Sequence, residues 1–86
     1  MGKGNDKCSD NALCRALRRF VGAEVTIRTR TGDIITGELR RVSKYGLVEI
    51  LEAELLSPFM AERVRFILVQ DIESFSVELT SANDDD

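Results

Sequence analysis

The residues best suited to chemistry lie in two short polar segments, the turn Ser43-Lys44-Tyr45-Gly46 and the connection at Gln70. An aromatic ring exposed in a turn can stack on a nucleobase, which contributes about 1–3 kcal/mol per base. Lys44 can contact a phosphate as a point charge, and the amide of Gln70 offers the donor and acceptor that a base edge requires. The alternatives are a tyrosine packed on a rim or subunit contact, a solvated lysine and ordinary turn chemistry.

The composition argues against an enzyme. The chain has no histidine, no tryptophan and one tyrosine, so acid–base catalysis would depend on carboxylates or lysine. No carboxylate pair lies beside a nucleophile, and the sequence contains no G-x-S-x-G, P-loop or H-E-x-x-H motif. Two cysteines are too few for a zinc site, which takes about four nitrogen or sulfur ligands. We therefore expect no catalysis, no cofactor and no metal.

The two cysteines and the N-terminus favour a cytoplasmic protein. With Cys14 in a helix and Cys8 just before it, a disulfide is geometrically unfavourable, and we expect two free thiols in a reducing compartment. Residues 1–7 lack the apolar centre of a secretion signal. No apolar run approaches the roughly 20 residues needed to span a bilayer, so no membrane partner is expected.

The charge is unevenly distributed along the chain. Residues 1–44 contain ten lysines and arginines against five acids, a net +5, whereas residues 45–86 contain two against ten, a net −8; together they give the −3 of the whole chain. Arginines in the basic half form a candidate basic surface, and these are Arg15, Arg18, Arg19, Arg28 and Arg30. Such a surface would bind phosphates without sequence preference. The alternative is a solvated outer face whose arginines pair with Glu24, Glu38 and Glu49.

The first regular element predicted is a helix. Its apolar stripe has helical spacing and comprises Leu13, Cys14, Ala16, Leu17, Phe20 and Val21. Ser9, Asp10 or Asn11 can cap its N-terminus, and Gly22 is suited to end it.

Five strands with short connections follow the helix. Period-two alternation, as in Val25-x-Ile27-x-Thr29, is typical of a strand with one buried face. The predicted strands are Glu24 to Arg30, Ile34 to Val42, Leu47 to Leu55, Arg63 to Val69 and Glu73 to Leu79. Gly37 suggests a bend or a close backbone approach in the second strand. In the fourth strand Val64, Phe66 and Leu68 fall on one side.

One helix and five strands predict a mainly β fold. A chain of 86 residues buries only a small core, so we expect one domain. The expected architecture is an N-terminal α-helix that caps a five-stranded, strongly bent antiparallel barrel of SH3-like type. Residues 1–8 are expected to be disordered, residues 9–79 to form the domain, and residues 80–86 to form a disordered acidic tail. A proline in Ser57-Pro58-Phe59-Met60 is expected to end the third strand.

The pattern of the first two strands resembles the Sm/LSm/Hfq family, over about residues 12–79. The resemblance is carried by Val25, Ile27, Thr29, Gly32, Gly37, Leu39 and Val42. The family's first motif has an Asp-x-hydrophobic-Asn turn where this chain has Ser43 to Gly46. Its second motif ends in Arg-Gly, or Lys-His in Hfq; here the corresponding segment is Phe66 to Ile72, which keeps the apolar frame but neither pair.

The resemblance implies a cyclic homo-oligomer in which strand four of one subunit pairs with strand five of the next. In the family the two turns line a pore and hold a uracil base, so it also implies single-stranded RNA as a partner, bound weakly or with altered specificity. The candidate RNA-binding residues are Ser43, Lys44, Tyr45, Gly46, Gln70, Arg40 and Arg41. Two alternatives remain open: a structural or protein-interaction ring without RNA, and a monomeric SH3-like adaptor.

Overall fold

The computed structural model describes residues 7–56 and 59–79, and every structural statement below concerns these residues. One helix precedes five strands, which confirms the mainly β fold. The elements are α1 (Ala12–Arg18), β1 (Glu24–Thr29), β2 (Ile34–Val42), β3 (Leu47–Leu56), β4 (Phe59–Leu68) and β5 (Ile72–Val77), with a 3-10 turn at Val69–Asp71 between the last two strands.

The five strands form one antiparallel sheet in the order β4-β3-β2-β1-β5. The β2–β3 register shifts between Leu39 and Arg41, and the β1–β5 register shifts between Arg28 and Thr29. Such irregularities bend the strand and increase its twist. The bend was predicted near Gly37, whereas the pairing irregularity of β2 lies a few residues later, between Leu39 and Arg41.

Gly37 serves the other purpose suggested for it, a close approach between strands. A Cβ atom at this position would lie 2.5 Å from the Leu51 carbonyl oxygen and 2.7 Å from Cγ2 of Ile50. The first of these atoms belongs to the β3 backbone, which can yield only if the strand moves. Any larger residue would push β2 and β3 apart where they enclose the core.

The core lies between the inner face of the sheet and α1. Val25, Ile27 and Thr29 are all buried, as the alternation predicts. Leu17 supplies a fully buried side chain from α1. Beyond the helix, Phe20 meets Phe75 of β5 edge to face, with ring centroids 6.3 Å apart, a geometry that aromatic pairs favour. The helix therefore closes one side of the sheet.

The apolar alternation of β4 faces outward. Val64, Phe66 and Leu68 are 43%, 58% and 44% exposed, whereas Ile67 and, just beyond the strand, Val69 are buried. Near the end of the strand both sides carry an apolar residue, Phe66 and Leu68 on one side and Ile67 on the other, so alternation alone does not identify the core side. The core side is the one that carries Ile67.

The cysteine prediction was wrong, because Cys8 and Cys14 form a disulfide with Cα atoms 5.1 Å apart. The Asn11 amide donates to the Cys8 carbonyl at 3.0 Å and folds the chain back before the helix, and the Asn11 side chain caps α1 by accepting from the Cys14 amide at 3.0 Å. This turn brings the Cα atoms within the range that a disulfide spans. Cys8 is fully buried, so the packed chain includes it, rather than beginning at Ser9.

Several boundaries differ from prediction. The helix ends at Arg18, so Gly22 lies in the loop after it, and β4 already includes Phe59, which shortens the expected break. The strand β5 ends at Val77, two residues before Leu79. The other residues of the predicted disordered ends, 1–6 and 80–86, and the pair 57–58 lie outside the described residues.

Replacement of Gly37 by alanine should destabilise the fold by about 1–3 kcal/mol, the usual cost of overpacking a filled site. The exposed Ser76→Ala change should shift the free energy of unfolding by no more than about 0.5 kcal/mol. Urea denaturation of both variants at one protein concentration measures the difference. Equal stabilities would mean that β2 and β3 do not need the close approach at Gly37.

Candidate nucleic-acid interface

The turn between β2 and β3 is built on Ser43. Its Oγ accepts hydrogen bonds from the backbone amides of Tyr45 and Leu47, both at 3.1 Å, and its carbonyl accepts from the Gly46 amide at 3.0 Å. Gly46 has φ +86°, a conformation that residues with a Cβ rarely adopt. The turn therefore holds Tyr45 at its outer tip, where the residue is 58% exposed.

A second turn is fastened to the first. The Val69 amide, at the start of the 3-10 turn, donates to the Gly46 carbonyl at 2.7 Å. Arg30 fixes the other side of the 3-10 turn, because its Nε donates to the Gln70 carbonyl at 2.7 Å and its amide donates to the Asp71 carbonyl at 2.9 Å. The backbone positions of Tyr45 and Gln70 are thus set by hydrogen bonds between segments distant in sequence.

A pocket of about 150 Å³ opens between these turns. Three of the predicted residues line it together: Tyr45, Gly46 and Gln70. The remaining lining residues were not predicted, and they are Lys7, Asn11, Leu68 and Val69. The pocket thus combines an aromatic ring, an apolar wall and two side-chain amides.

Lys44 lies against Tyr45 rather than in the pocket. Its Nζ is 5.4 Å from the centroid of the tyrosine ring, within the distance of a cation–π contact. The Lys44 ammonium therefore lies over one face of the Tyr45 ring.

The arginines do not form one surface with this pocket. Arg30 contacts the Gln70 carbonyl, whereas an Nη of Arg15 donates to the Ser9 carbonyl at 2.7 Å. Arg28 lines a different groove, with Thr26, Ile34 and Phe75 among its neighbours. Exposed positions elsewhere are occupied by Arg18, Arg19, Arg40 and Arg41; none of these four is among the residues that line the pocket, and Arg41 is paired in register with Glu49.

A larger open groove of about 410 Å³ has the opposite electrostatic character. Its lining includes Glu24, Glu38 and Glu62, with no basic residue among the described ones. Carboxylates repel phosphate, so this groove suits a polynucleotide poorly. Within residues 7–56 and 59–79, no three His, Cys, Asp or Glu side chains are arranged to hold a metal, and no helix has the length and hydropathy to cross a membrane.

Solved structures resemble this chain in fold. A heptameric SmAP1 from P. aerophilum superimposes with a TM-score of 0.58 at 17% sequence identity, over 80% of this chain and 96% of the other. A heptameric archaeal Sm protein superimposes with a TM-score of 0.56 at 16% identity, over 76% and 98% of the two chains. No protein-family model matches the sequence, and no curated protein does. The chain therefore has the Sm-like fold.

Substitution of Ser43 by alanine should lower stability by about 1 kcal/mol, because two backbone amides lose their acceptor. The matched change Ser74→Ala, at an exposed position of β5, should have little effect. Thermal unfolding by circular dichroism measures both. If the two alanine variants were equally stable, the Ser43 hydroxyl would not be what holds the turn.

Proposed function

We propose that this protein forms a closed ring of identical subunits and binds single-stranded RNA at the pocket of Tyr45 and Gln70. The observation that carries the proposal is the exposed Tyr45, which lines one pocket with Gln70, on a subunit whose edge strand β4 carries an exposed apolar row. The protein would act as a binding module, without catalysis.

The case for a ring begins with the sheet edges. In the described pairings β4 pairs only with β3, and β5 only with β1. Unpaired edges offer backbone hydrogen-bonding groups to another chain unless something covers them. Pairing of β4 with the next subunit's β5 repeats the same heterologous contact, which generates a ring when the rotation closes.

Side chains on β4 support the same contact. The outward row Val64, Phe66 and Leu68 is apolar and substantially exposed, and burial of such a row against another subunit favours association. The arginines of β4 instead pair within the subunit: Arg65 Nε donates to Oε2 of Glu52 at 3.1 Å, and Arg63 Nε lies 3.3 Å from Oε1 of the same residue. Both solved structures of similar fold are heptamers.

The pocket supports base binding by two complementary contacts. The Tyr45 ring offers a stacking face, and the Gln70 amide offers a donor and an acceptor for a base edge. Lys44 and Arg30 lie beside these two residues and would contact phosphates. The segment Phe66 to Ile72 has neither the Arg-Gly nor the Lys-His pair of the family, so it lacks their basic side chain. This difference is the physical reason to propose altered or weak base preference.

A second candidate function is a ring that binds protein instead of RNA. The groove lined by Glu24, Glu38 and Glu62 favours it, because it would attract a basic peptide and repel phosphate. A monomeric adaptor would need the β4 edge to stay uncovered. Assembly and RNA binding are therefore tested separately.

Phe66→Glu should dissociate the ring, because it places a charge in the apolar contact between subunits. Light scattering should give a mass of several subunits for the unchanged protein and of one subunit for this variant. Val21→Glu is the control, since Val21 is also an exposed apolar residue but lies after the helix. A monomeric unchanged protein would rule out the ring.

Tyr45→Ala should weaken RNA binding about 10-fold or more, as expected for the loss of one stacking contact. Fluorescence anisotropy with oligo-U, oligo-A and a mixed RNA measures the affinity, and Tyr45→Phe should retain it because the ring remains. Salt-insensitive or absent binding at micromolar protein, or equal affinity for the alanine variant, would contradict the proposed site.

A further inference from the structure

The N-terminal wall of the pocket has no counterpart among the residues predicted to bind RNA. Two of its residues, Lys7 and Asn11, come from the chain around the Cys8–Cys14 disulfide. We propose that this disulfide-closed loop is part of the RNA-binding site, with Lys7 as a phosphate ligand and Asn11 as a second amide that contacts the base. This inference rests on the proposed function of the pocket and deepens it.

The loop is attached directly to the base-stacking turn. The Cys8 amide donates to the Lys44 carbonyl at 3.1 Å, one residue before Tyr45. Lys7 is the residue before Cys8 and is exposed, so this hydrogen bond places its backbone beside the turn. Lys7 thereby supplies a cation to a pocket whose other described lining residues are uncharged.

Asn11 is held in a defined orientation. Its Oδ1 accepts from the Cys14 amide at 3.0 Å as the cap of α1. That cap uses the oxygen alone, and the two N–H donors of the amide remain for other acceptors. Because Gln70 lines the same pocket, a base bound there would have two side-chain amides available for hydrogen bonds to its edge.

The disulfide keeps these two residues in place. Both sulfur-bearing residues are fully buried in the core, and the bond joins the residue after Lys7 to the first turn of the helix that Asn11 caps. Without it, the chain that carries Lys7 would be held by the packing of Cys8 and by its backbone hydrogen bonds, with no covalent link to α1. The disulfide is therefore a positioning element of the site.

Salt dependence distinguishes the two roles. Each phosphate contact on a single strand contributes about −0.7 to the slope of log K against log salt concentration. Anisotropy titrations with oligo-U over a range of salt should show that Lys7→Gln reduces the slope by about 0.7 for each pocket that the strand occupies. Asn11→Ser keeps a capping oxygen and should lower affinity about fivefold with the slope unchanged.

Two further variants complete the experiment. Arg28→Gln removes an equal charge from a different groove and should leave the slope closer to that of the unchanged protein. The double change Cys8→Ala/Cys14→Ala should reduce affinity and slope together; if it does not fold, the Lys7 measurement stands alone. An unchanged slope for Lys7→Gln, or an equal reduction of the slope for Arg28→Gln, would overturn the inference. The proposed function would still stand in that case if Tyr45→Ala weakened RNA binding. Absence of RNA binding by the unchanged protein would instead refute the proposed function itself.

Discussion

The order of strands leaves an edge strand at each end of the sheet, β4 and β5, whose outer backbone groups need hydrogen-bonding partners. This constraint determines how the protein can assemble. The edges β4 and β5 each have a single partner in the described pairings. Backbone groups on a sheet edge must be satisfied by water, by a covering element or by another chain. The apolar outward side of β4 makes water a poor partner. In the proposed ring, the next copy of the same chain would supply what the edge lacks, and a small fold would gain stability from that burial.

The candidate site depends on the same sheet. Gly46 and Val69 lie at the ends of β3 and β4, and the hydrogen bond between them joins the two turns that bear Tyr45 and Gln70. Since β3 and β4 are paired along their whole length, the turns cannot separate without breaking the sheet. A ring would repeat this rigid pocket once per subunit, and linked pockets bind a strand more tightly than one pocket does.

Sequence alone predicted those features that local pattern determines. The bounds of β2 agree because turn residues flank it on both sides, and β1 alternates cleanly between apolar and polar side chains. The outward side of β4 was not identifiable, because Ile67 competes with Phe66 for the core side. Tyr45 and Gln70 were chosen by residue type; the structure places both in one pocket, and their role in RNA binding stays a prediction. The disulfide and the pocket wall at Lys7 depend on the path of the chain before α1. This segment has no regular hydrophobic pattern from which its path could be predicted.

Native mass spectrometry of the unchanged protein with a short oligo-U tests the central claim most directly, because it reports assembly and RNA binding in the same spectrum. The account predicts a single species at a whole multiple of the 9.6 kDa subunit, and a second species heavier by one oligonucleotide. A spectrum with only the 9.6 kDa monomer would contradict the ring. A multimer that never acquires the oligonucleotide would contradict the RNA site.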